Sequence, residues 1–286
     1  MKVSIRVFGF PIADYAPIAR RADELGFEAL WIPEHLVAPL AFEANYPYRS
    51  TGRPSFLPDT PFADAWVMLS HLAAVTTRIR LGVGVFVLPL RNPFVVAKAA
   101  GTAQELSRGR VLMGVGIGWM REDFAAVDAK FERRGARTDE MLAVMKKLWS
   151  GQPVEHAGEW YQFDPLQMSP GLTQPMPIIM GGAGEQALRR AARIGDGWYG
   201  PPCELAAAID YRSALHRELE AAGRDKSAFQ LWVRGPVATD ESAVKDGLAK
   251  FQEAGFEHVV MQVPLDLPDN AARIDWVERL SRWVTP

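Results

Sequence analysis

Cysteine is nearly absent from this sequence of 286 residues, since Cys203 is the only one. A single cysteine excludes an intramolecular disulfide and a cysteine-rich metal site, and it favours a reducing compartment. Charge imbalance is absent as well, because 32 basic and 34 acidic residues leave a formal net charge of −2. No overall field therefore attracts nucleic acid or an anionic membrane, and any anionic ligand must be held by a local site.

Long apolar runs are also missing. No apolar stretch reaches membrane-spanning length, and the N-terminus enters a strand-like run without the basic and apolar regions of a secretory leader. The hydrophobic share of 48% and the charged share of 23% are near the average for globular proteins. We therefore expect a cytoplasmic protein with a sizeable core and with neither nucleic-acid nor membrane partners.

Short apolar runs alternate with amphipathic segments along the chain, a pattern typical of βα units repeated around a parallel sheet. Most of the runs are continuous, as expected of strands buried on both faces. Eight strands each followed by a helix favour a single (β/α)8 TIM barrel over an open sheet, and we predict one domain over residues 1–286. The runs begin near Val3, Glu28, Ile79, Val111, Met176, Gly197, Phe229 and His258.

Two long insertions interrupt this repeat. The first, Leu36 to Pro61, follows the second strand and is rich in proline, tyrosine and arginine. The second, Gly151 to Pro175, precedes the fifth strand, and its motif HAGEWYQFD predicts a small hairpin. Because barrel active sites form at the carboxyl ends of the strands, the first insertion is predicted to cover a substrate cavity.

The fifth predicted strand runs through Gly181, Gly182, Ala183 and Gly184 into a helix. Glycines remove side chains there, so backbone N–H groups and the positive end of the helix can approach a phosphate. A tight turn without a ligand is the alternative. Late barrel strands are a usual place for a phosphate site, and these residues are therefore candidates for binding a coenzyme.

Glycines also interrupt the third and fourth strands. Gly84 lies within the third strand, where a glycine marks a bulge or a close approach, and packing alone explains it equally well. The fourth strand ends near Gly116, Gly118 and Trp119, whose spacing does not make a dinucleotide-binding unit. We interpret these glycines as clearing space for a flat ring, with Trp119 as its wall.

His35 closes the second strand directly after Glu34, which places an imidazole beside a carboxylate at a strand's carboxyl end. Imidazole donates hydrogen bonds and exchanges protons near neutral pH, so both residues are candidate catalytic groups, with a structural histidine as the alternative. No lysine stands at the carboxyl end of a predicted strand, which argues against a Schiff-base aldolase. Only these two residues offer adjacent ligands, so no metal site is expected.

Five ordered motifs resemble those of the luciferase-like superfamily, specifically its deazaflavin (coenzyme F420) oxidoreductase branch. The resemblance covers almost the whole chain and implies a barrel with a flavin or deazaflavin ring across its mouth. The motifs are ADELGFEALWIPEH, RIRLGVGVFVLPLRNP, LSRGRVLMGVGIGWMREDF, ERRGARTDEMLAVMKKLW and PIIMGGAGEQALRRAARIGDGW.

The resemblance also gives the candidate residues roles. It implies a non-prolyl cis peptide between Gly84 and Val85, in a third-strand bulge behind the ring. It implies that backbone N–H groups of residues 181–184 hold the coenzyme phosphate, with the sixth strand, residues 196–198, behind them. His35 is expected near the reactive edge of the ring.

The sequence departs from the sugar-phosphate dehydrogenases of this superfamily at two positions. Those enzymes carry a tryptophan four residues after the histidine and a glutamate after the fourth-strand glycines. Pro39 and Trp119 occupy these positions here. Sugar-phosphate oxidation is therefore not expected, and the sequence identifies no acid that replaces the glutamate.

Three functions remain open. The leading hypothesis is hydride transfer between coenzyme F420 and a small organic substrate, with His35 as acid, base or ring-orienting donor. An FMN-dependent monooxygenase that takes reduced flavin from a separate reductase and uses O2 is the first alternative. A non-catalytic flavin-binding protein is the second. A homodimer is expected by analogy with the family alone.

Overall fold

The computed structural model of the protein describes residues 1–40, 45–236 and 240–284. Eight of its strands pair in parallel into a closed barrel, and the other two, Val154–Ala157 and Gln162–Leu166, form an antiparallel hairpin. All eight predicted barrel strands and the predicted hairpin are confirmed. The strands are β1 (Lys2–Arg6), β2 (Ala29–Ile32), β3 (Arg80–Val87), β4 (Val111–Gly116), β5 (Val154–Ala157), β6 (Gln162–Leu166), β7 (Ile178–Gly181), β8 (Gly197–Tyr199), β9 (Gln230–Arg234) and β10 (His258–Gln262).

An α-helix follows every barrel strand, and two follow β4. No helix in the described part of the chain is long and apolar enough to cross a membrane. Two short 3-10 helices span Ile12–Asp14 and Leu88–Leu90. The α-helices are α1 (Tyr15–Glu24), α2 (Ala65–Val75), α3 (Pro93–Ser107), α4 (Arg121–Ala126), α5 (Arg134–Leu148), α6 (Glu185–Ile194), α7 (Leu205–Ala221), α8 (Glu241–Glu253) and α9 (Asn270–Val284).

Local sequence accounts for where several helices begin. The Asp64 carboxylate accepts hydrogen bonds from the first backbone N–H groups of α2, both at 3.0 Å. Asn92 caps α3 in the same way, and Pro93 follows it at the first helical position, where no backbone N–H is needed. These caps fix the residues at which α2 and α3 begin.

The barrel order is β1-β10-β9-β8-β7-β4-β3-β2, with β2 closing onto β1. Successive side chains of a strand point to opposite faces. Each strand therefore contributes side chains both to the barrel interior and to the outer layer under the helices. Large rings fill the interior: the Trp31 ring lies 4.6 Å from that of Tyr199 and 5.1 Å from that of Trp232. The space above this layer, at the carboxyl ends, holds the candidate site.

Candidate active site

A cavity of about 400 Å³ opens at the carboxyl ends of the barrel strands, a size typical of small-molecule and cofactor sites. The structure brings most of the predicted site residues to it. Ala183 and Gly184 lie just beyond it, where the chain enters α6. The predicted residues that line the cavity are Glu34, His35, Gly84, Val85, Gly116, Gly118, Trp119, Gly181 and Gly182.

The third strand carries the predicted bulge. The peptide bond between Gly84 and Val85 is cis, as the family resemblance implied, and the pairing of β3 with β4 shifts register at this point. A Cβ atom added to Gly84 would lie 2.9 Å from the ring of Tyr199. Since such a contact is too short for a real side chain, glycine is required for β3 to pack against that ring.

Contacts with protein atoms require glycine at positions 116 and 118, and the role of these residues in clearing space for a flat ring stays a prediction. A Cβ on Gly116 would lie 2.6 Å from Val85, and one on Gly118 would lie 2.7 Å from Phe124. A Cβ on Gly181 would likewise lie 2.8 Å from Val85. Gly116 and Gly181 therefore allow β4 and β7 to close around the bulge, which presents the Val85 side chain to the cavity.

His35 follows β2 and reaches the cavity with its side chain 14% exposed. Its Nδ1 atom lies 3.5 Å from Oδ2 of Asp123, a carboxylate that is 3% exposed. Its ring packs against Phe56 and Phe62, with centroids 4.6 and 5.2 Å away. Because Nδ1 faces Asp123, Nε2 is the nitrogen that is directed away from this carboxylate.

Asp123 is the acid that sequence reasoning did not find. It lies in the first turn of α4, next to Glu122, and nothing in the local sequence distinguishes the buried carboxylate from its neighbour. The available signal was its place in the short helix directly after β4, at the carboxyl end of the barrel. Arg6 and Arg234, which end β1 and β9, also line the cavity and were also missed.

Glu34 makes a different set of contacts from those expected of a catalytic acid. Its side chain is 1% exposed and forms an ion pair with Arg91, which also donates from Nη1 to Oε2 at 3.2 Å. The backbone N–H of Val87 donates to the same oxygen at 3.3 Å. The carboxylate therefore ties the end of β2 to the end of β3, beside the histidine and the bulge.

The glycine turn after β7 lies at one side of the cavity. Gly182 has φ +102°, and a Cβ there would lie 2.8 Å from Ala187, so only glycine fits. Nε1 of Trp198 donates to the Gly182 carbonyl at 2.6 Å and holds the turn from β8. This turn leads into the N-terminus of α6, whose backbone N–H groups suit an anion.

Tyr48, from the first insertion, reaches this turn. Its hydroxyl lies 3.8 Å from the position that a Gly182 Cβ would take. Burial raises the pKa of Tyr48 to about 12. A backbone hydrogen bond with Ala183 acts in the opposite direction and lowers the pKa, but burial has the larger effect. The hydroxyl therefore stays protonated near neutral pH, and it is available as a hydrogen-bond donor at the turn. Tyr48 and Phe56, from the described part of the first insertion, line the cavity, and the covering of a substrate by this insertion stays a prediction.

A family described as luciferase-like monooxygenase matches residues 3–262. The chain belongs to this family. The luciferase-like chain is 36% identical over 250 residues to an uncharacterised protein of Mycobacterium tuberculosis, covering 86% of this chain and 84% of the relative. It is 31% identical over 235 residues to the F420-dependent glucose-6-phosphate dehydrogenase of Kineococcus radiotolerans, covering 79% and 64%.

Solved structures share the fold. Monooxygenase RslO1 from Streptomyces bottropensis matches this luciferase-like chain with a TM-score of 0.80 and 19% identity, covering 99% of this chain and 98% of that one. The predicted family and the TIM barrel are both confirmed. Other structures with this fold are F420-dependent enzymes, at 17% and 16% identity, and a monooxygenase in complex with FMN, at 15% identity.

Proposed function

We propose that this protein catalyses hydride transfer between coenzyme F420 and a small organic substrate. The observation that carries the proposal is the position of His35 at the cavity with the buried Asp123 carboxylate behind it. The similarity to F420-dependent glucose-6-phosphate dehydrogenases supports the choice of coenzyme. When bound, the deazaflavin ring supplies the carbon that accepts or releases the hydride.

The residues at the cavity fit such a coenzyme. Val85 and Tyr199 offer an apolar surface for a flat ring, and the Tyr199 hydroxyl is buried without a hydrogen-bond partner among the described residues. The glycine turn at residues 181–184 offers backbone N–H groups and a helix N-terminus to a phosphate. FMN shares a tricyclic ring and a phosphate, so these features suit it as well, and the choice between the coenzymes rests on the relatives.

The side chains around the substrate have separate tasks. His35 exchanges a proton with the substrate oxygen through Nε2, since its Nδ1 faces Asp123. Asp123 favours the tautomer that carries a proton on Nδ1 and fixes the orientation of the ring. Phe56 and Phe62 pack against the imidazole and exclude water from it. Glu34 acts as a positioning residue through Arg91.

Anaerobic stopped-flow absorbance tests this function. The protein is mixed with oxidised F420 and a panel of secondary alcohols, and with reduced F420 and a panel of ketones and enones. We expect at least one substrate to change the coenzyme absorbance at a rate that depends on the protein. Oxygenation of the panel by reduced FMN and O2, with no change of F420 absorbance, would replace the proposal by the monooxygenase. Binding without turnover of any panel member by either coenzyme would favour a non-catalytic flavin-binding protein.

A further inference from the structure

Four of the described arginines line the cavity, and two of them end barrel strands that are separated by one other strand: Arg6 ends β1 and Arg234 ends β9. The strand between them is β10. In the strand register, Arg6 pairs with Gln262, and Arg234 pairs with Val260, two residues earlier. Because residues two apart on a strand share a face, all three polar side chains lie on the face of Val260, which packs in the barrel interior.

The two guanidinium groups share one protein acceptor. Oε1 of Gln262 accepts a hydrogen bond from Nη1 of Arg6, and Nη2 of Arg234 lies 3.5 Å from the same oxygen. The Nε atoms of both arginines are buried and have no hydrogen-bond partner within the described part of the chain. Neither guanidinium forms an ion pair with any carboxylate in residues 1–40, 45–236 and 240–284.

Two other largely buried arginines each have an acid as a partner. Arg91 pairs with Glu34, and Nη1 of Arg273 pairs with Asp14. At the cavity, in contrast, burial and the neighbouring Arg234 charge lower the pKa of Arg6 to about 10. Arg6 therefore remains charged at neutral pH, and two like charges stand together in a partly buried wall. Such an arrangement is costly unless an anion binds between the charges.

The barrel order places this wall opposite the proposed coenzyme site. In a ring of eight strands, each strand faces the one four places away. Therefore β9, β10 and β1 face β3, β4 and β7, which carry the bulge and the glycine turn. His35 follows β2, which stands between β1 and β3. A molecule anchored at the arginines would extend past the imidazole toward the bulge.

We propose that Arg6 and Arg234 bind an oxyanion of the substrate, and that this oxyanion is a carboxylate. Two guanidinium groups provide forked N–H donors that match the two oxygens of a carboxylate. The protein would then act on an organic acid. The statement about the substrate rests on the proposed hydride-transfer function, whereas the statement about anion binding does not.

The remaining lining next to the arginines favours an organic acid over inorganic phosphate. The Arg6 guanidinium lies 4.6 Å from the ring centre of Phe8, and the Phe8 ring lies 5.6 Å from that of Phe62. Leu265 lines the cavity as well. These apolar side chains offer a surface for the carbon skeleton that a carboxylate carries and a free phosphate lacks.

Binding of benzoate and benzamide to the protein without coenzyme tests the subsite by isothermal titration calorimetry. The two probes have the same shape and differ in charge. We expect benzoate to bind at least tenfold more tightly than benzamide. Arg234→Gln and Arg6→Gln should each reduce this preference at least fivefold and leave benzamide affinity unchanged. Equal affinities of the native protein for the two probes would overturn the proposal, whether or not the variants fold.

The matched control is Arg80→Gln. Arg80 begins β3 at the opposite end of the barrel, lies 3.6 Å from Glu28, and does not line the cavity. This variant should keep the native preference for benzoate. A loss of preference in the control equal to that in the two cavity variants would overturn the assignment of the subsite.

Two competition titrations separate the possible sources of the anion. Benzoate should still bind after saturation with F420; its displacement would assign the arginines to the coenzyme and overturn the substrate proposal. Inorganic phosphate should compete at least tenfold more weakly than benzoate, and equal competition would overturn the assignment to a carboxylate. A protein that binds benzoate through the arginines without binding F420 would refute the proposed function and leave the anion subsite standing.

Discussion

The Nδ1 atom of His35 lies 3.5 Å from Oδ2 of Asp123, although the two residues follow different strands, β2 and β4, with β3 between them in the barrel. The contact joins a histidine that lines the cavity to a carboxylate buried in α4. A carboxylate in this position orients an imidazole. The pair is therefore the centre of the proposed proton transfer.

Removing the imidazole should stop this transfer. We expect His35→Ala to lower turnover about 100-fold or more and to leave the dissociation constant of the coenzyme within a few-fold. Asp123→Asn should lower turnover less, about tenfold, because the imidazole remains but loses the negative charge that favours a proton on Nδ1. Steady-state kinetics and coenzyme titration of each variant check both expectations.

The control for this prediction is His71→Ala, since His71 is exposed on α2 and does not line the cavity. Its turnover should match that of the native enzyme. Near-normal turnover by a fully folded His35→Ala enzyme would contradict the catalytic assignment. A fall in thermal stability with turnover reduced only in proportion to the folded fraction would instead indicate a packing role.

Glu34→Gln should mainly lower the free energy of unfolding, with a smaller effect on turnover per folded molecule. The substitution removes the charge that pairs with Arg91 in a buried site, and loss of one partner of such a pair costs about 3 kcal/mol of unfolding free energy. Turnover per folded molecule should fall by less than that of His35→Ala. Urea unfolding and active-site titration measure the two quantities, and a 100-fold loss of turnover at unchanged stability would show a direct catalytic role.

Gly182→Val should impair coenzyme binding. Gly182 has φ +102°, and a Cβ there meets Ala187 at 2.8 Å, so the turn must change shape and its N–H groups move. We expect at least a tenfold rise in the coenzyme dissociation constant. Gly184→Ala is the matched control, because Gly184 has φ −72° and nothing lies within 4 Å of its Cβ position. Unchanged affinity in Gly182→Val would remove the phosphate assignment.

His258 should make the stability depend on pH. Burial lowers its pKa from the ordinary 6.5 to about 4, and its ring lies 4.1 Å from that of Trp232. As the pH falls below 6.5, the unfolded chain takes up a proton that the folded protein does not, so stability is lost between about pH 6.5 and pH 4. The loss from pH 7 to pH 5 amounts to about 2 kcal/mol.

His258→Leu removes the titrating group, so the difference in unfolding free energy between pH 7 and pH 5 should shrink by this amount. Urea unfolding of the native protein and of the variant at pH 7 and at pH 5 measures this difference. An equal pH dependence in the native protein and in the variant would assign the acid sensitivity to other groups.

The fold was largely predictable because the barrel strands are continuous apolar runs that a buried parallel sheet requires. The run at Val111 and the run at His258 both became strands that are almost entirely buried. The position of His35 at a strand's carboxyl end was sufficient to predict that it lines the cavity. These predictions rest on periodicity and chain order, which are local properties of the sequence.

Contacts between distant segments were not predictable in the same way. Asp123 is one of two adjacent acids, and only closure of the barrel brings it to the histidine. Arg6 and Arg234 each end an apolar strand, and their shared inward face depends on the register through β10. The contact that requires glycine at position 116 was not predictable, because the Val85 side chain belongs to a neighbouring strand.

Anaerobic titration of the purified protein with F420 and, separately, with FMN tests the proposed choice of coenzyme. Coenzyme fluorescence gives the affinities, and Gly182→Val in the same titration shows whether the proposed site is the one occupied. The account predicts micromolar binding of F420, at least tenfold weaker binding of FMN, and loss of F420 affinity in the variant. Micromolar binding of FMN with no binding of F420 would contradict it.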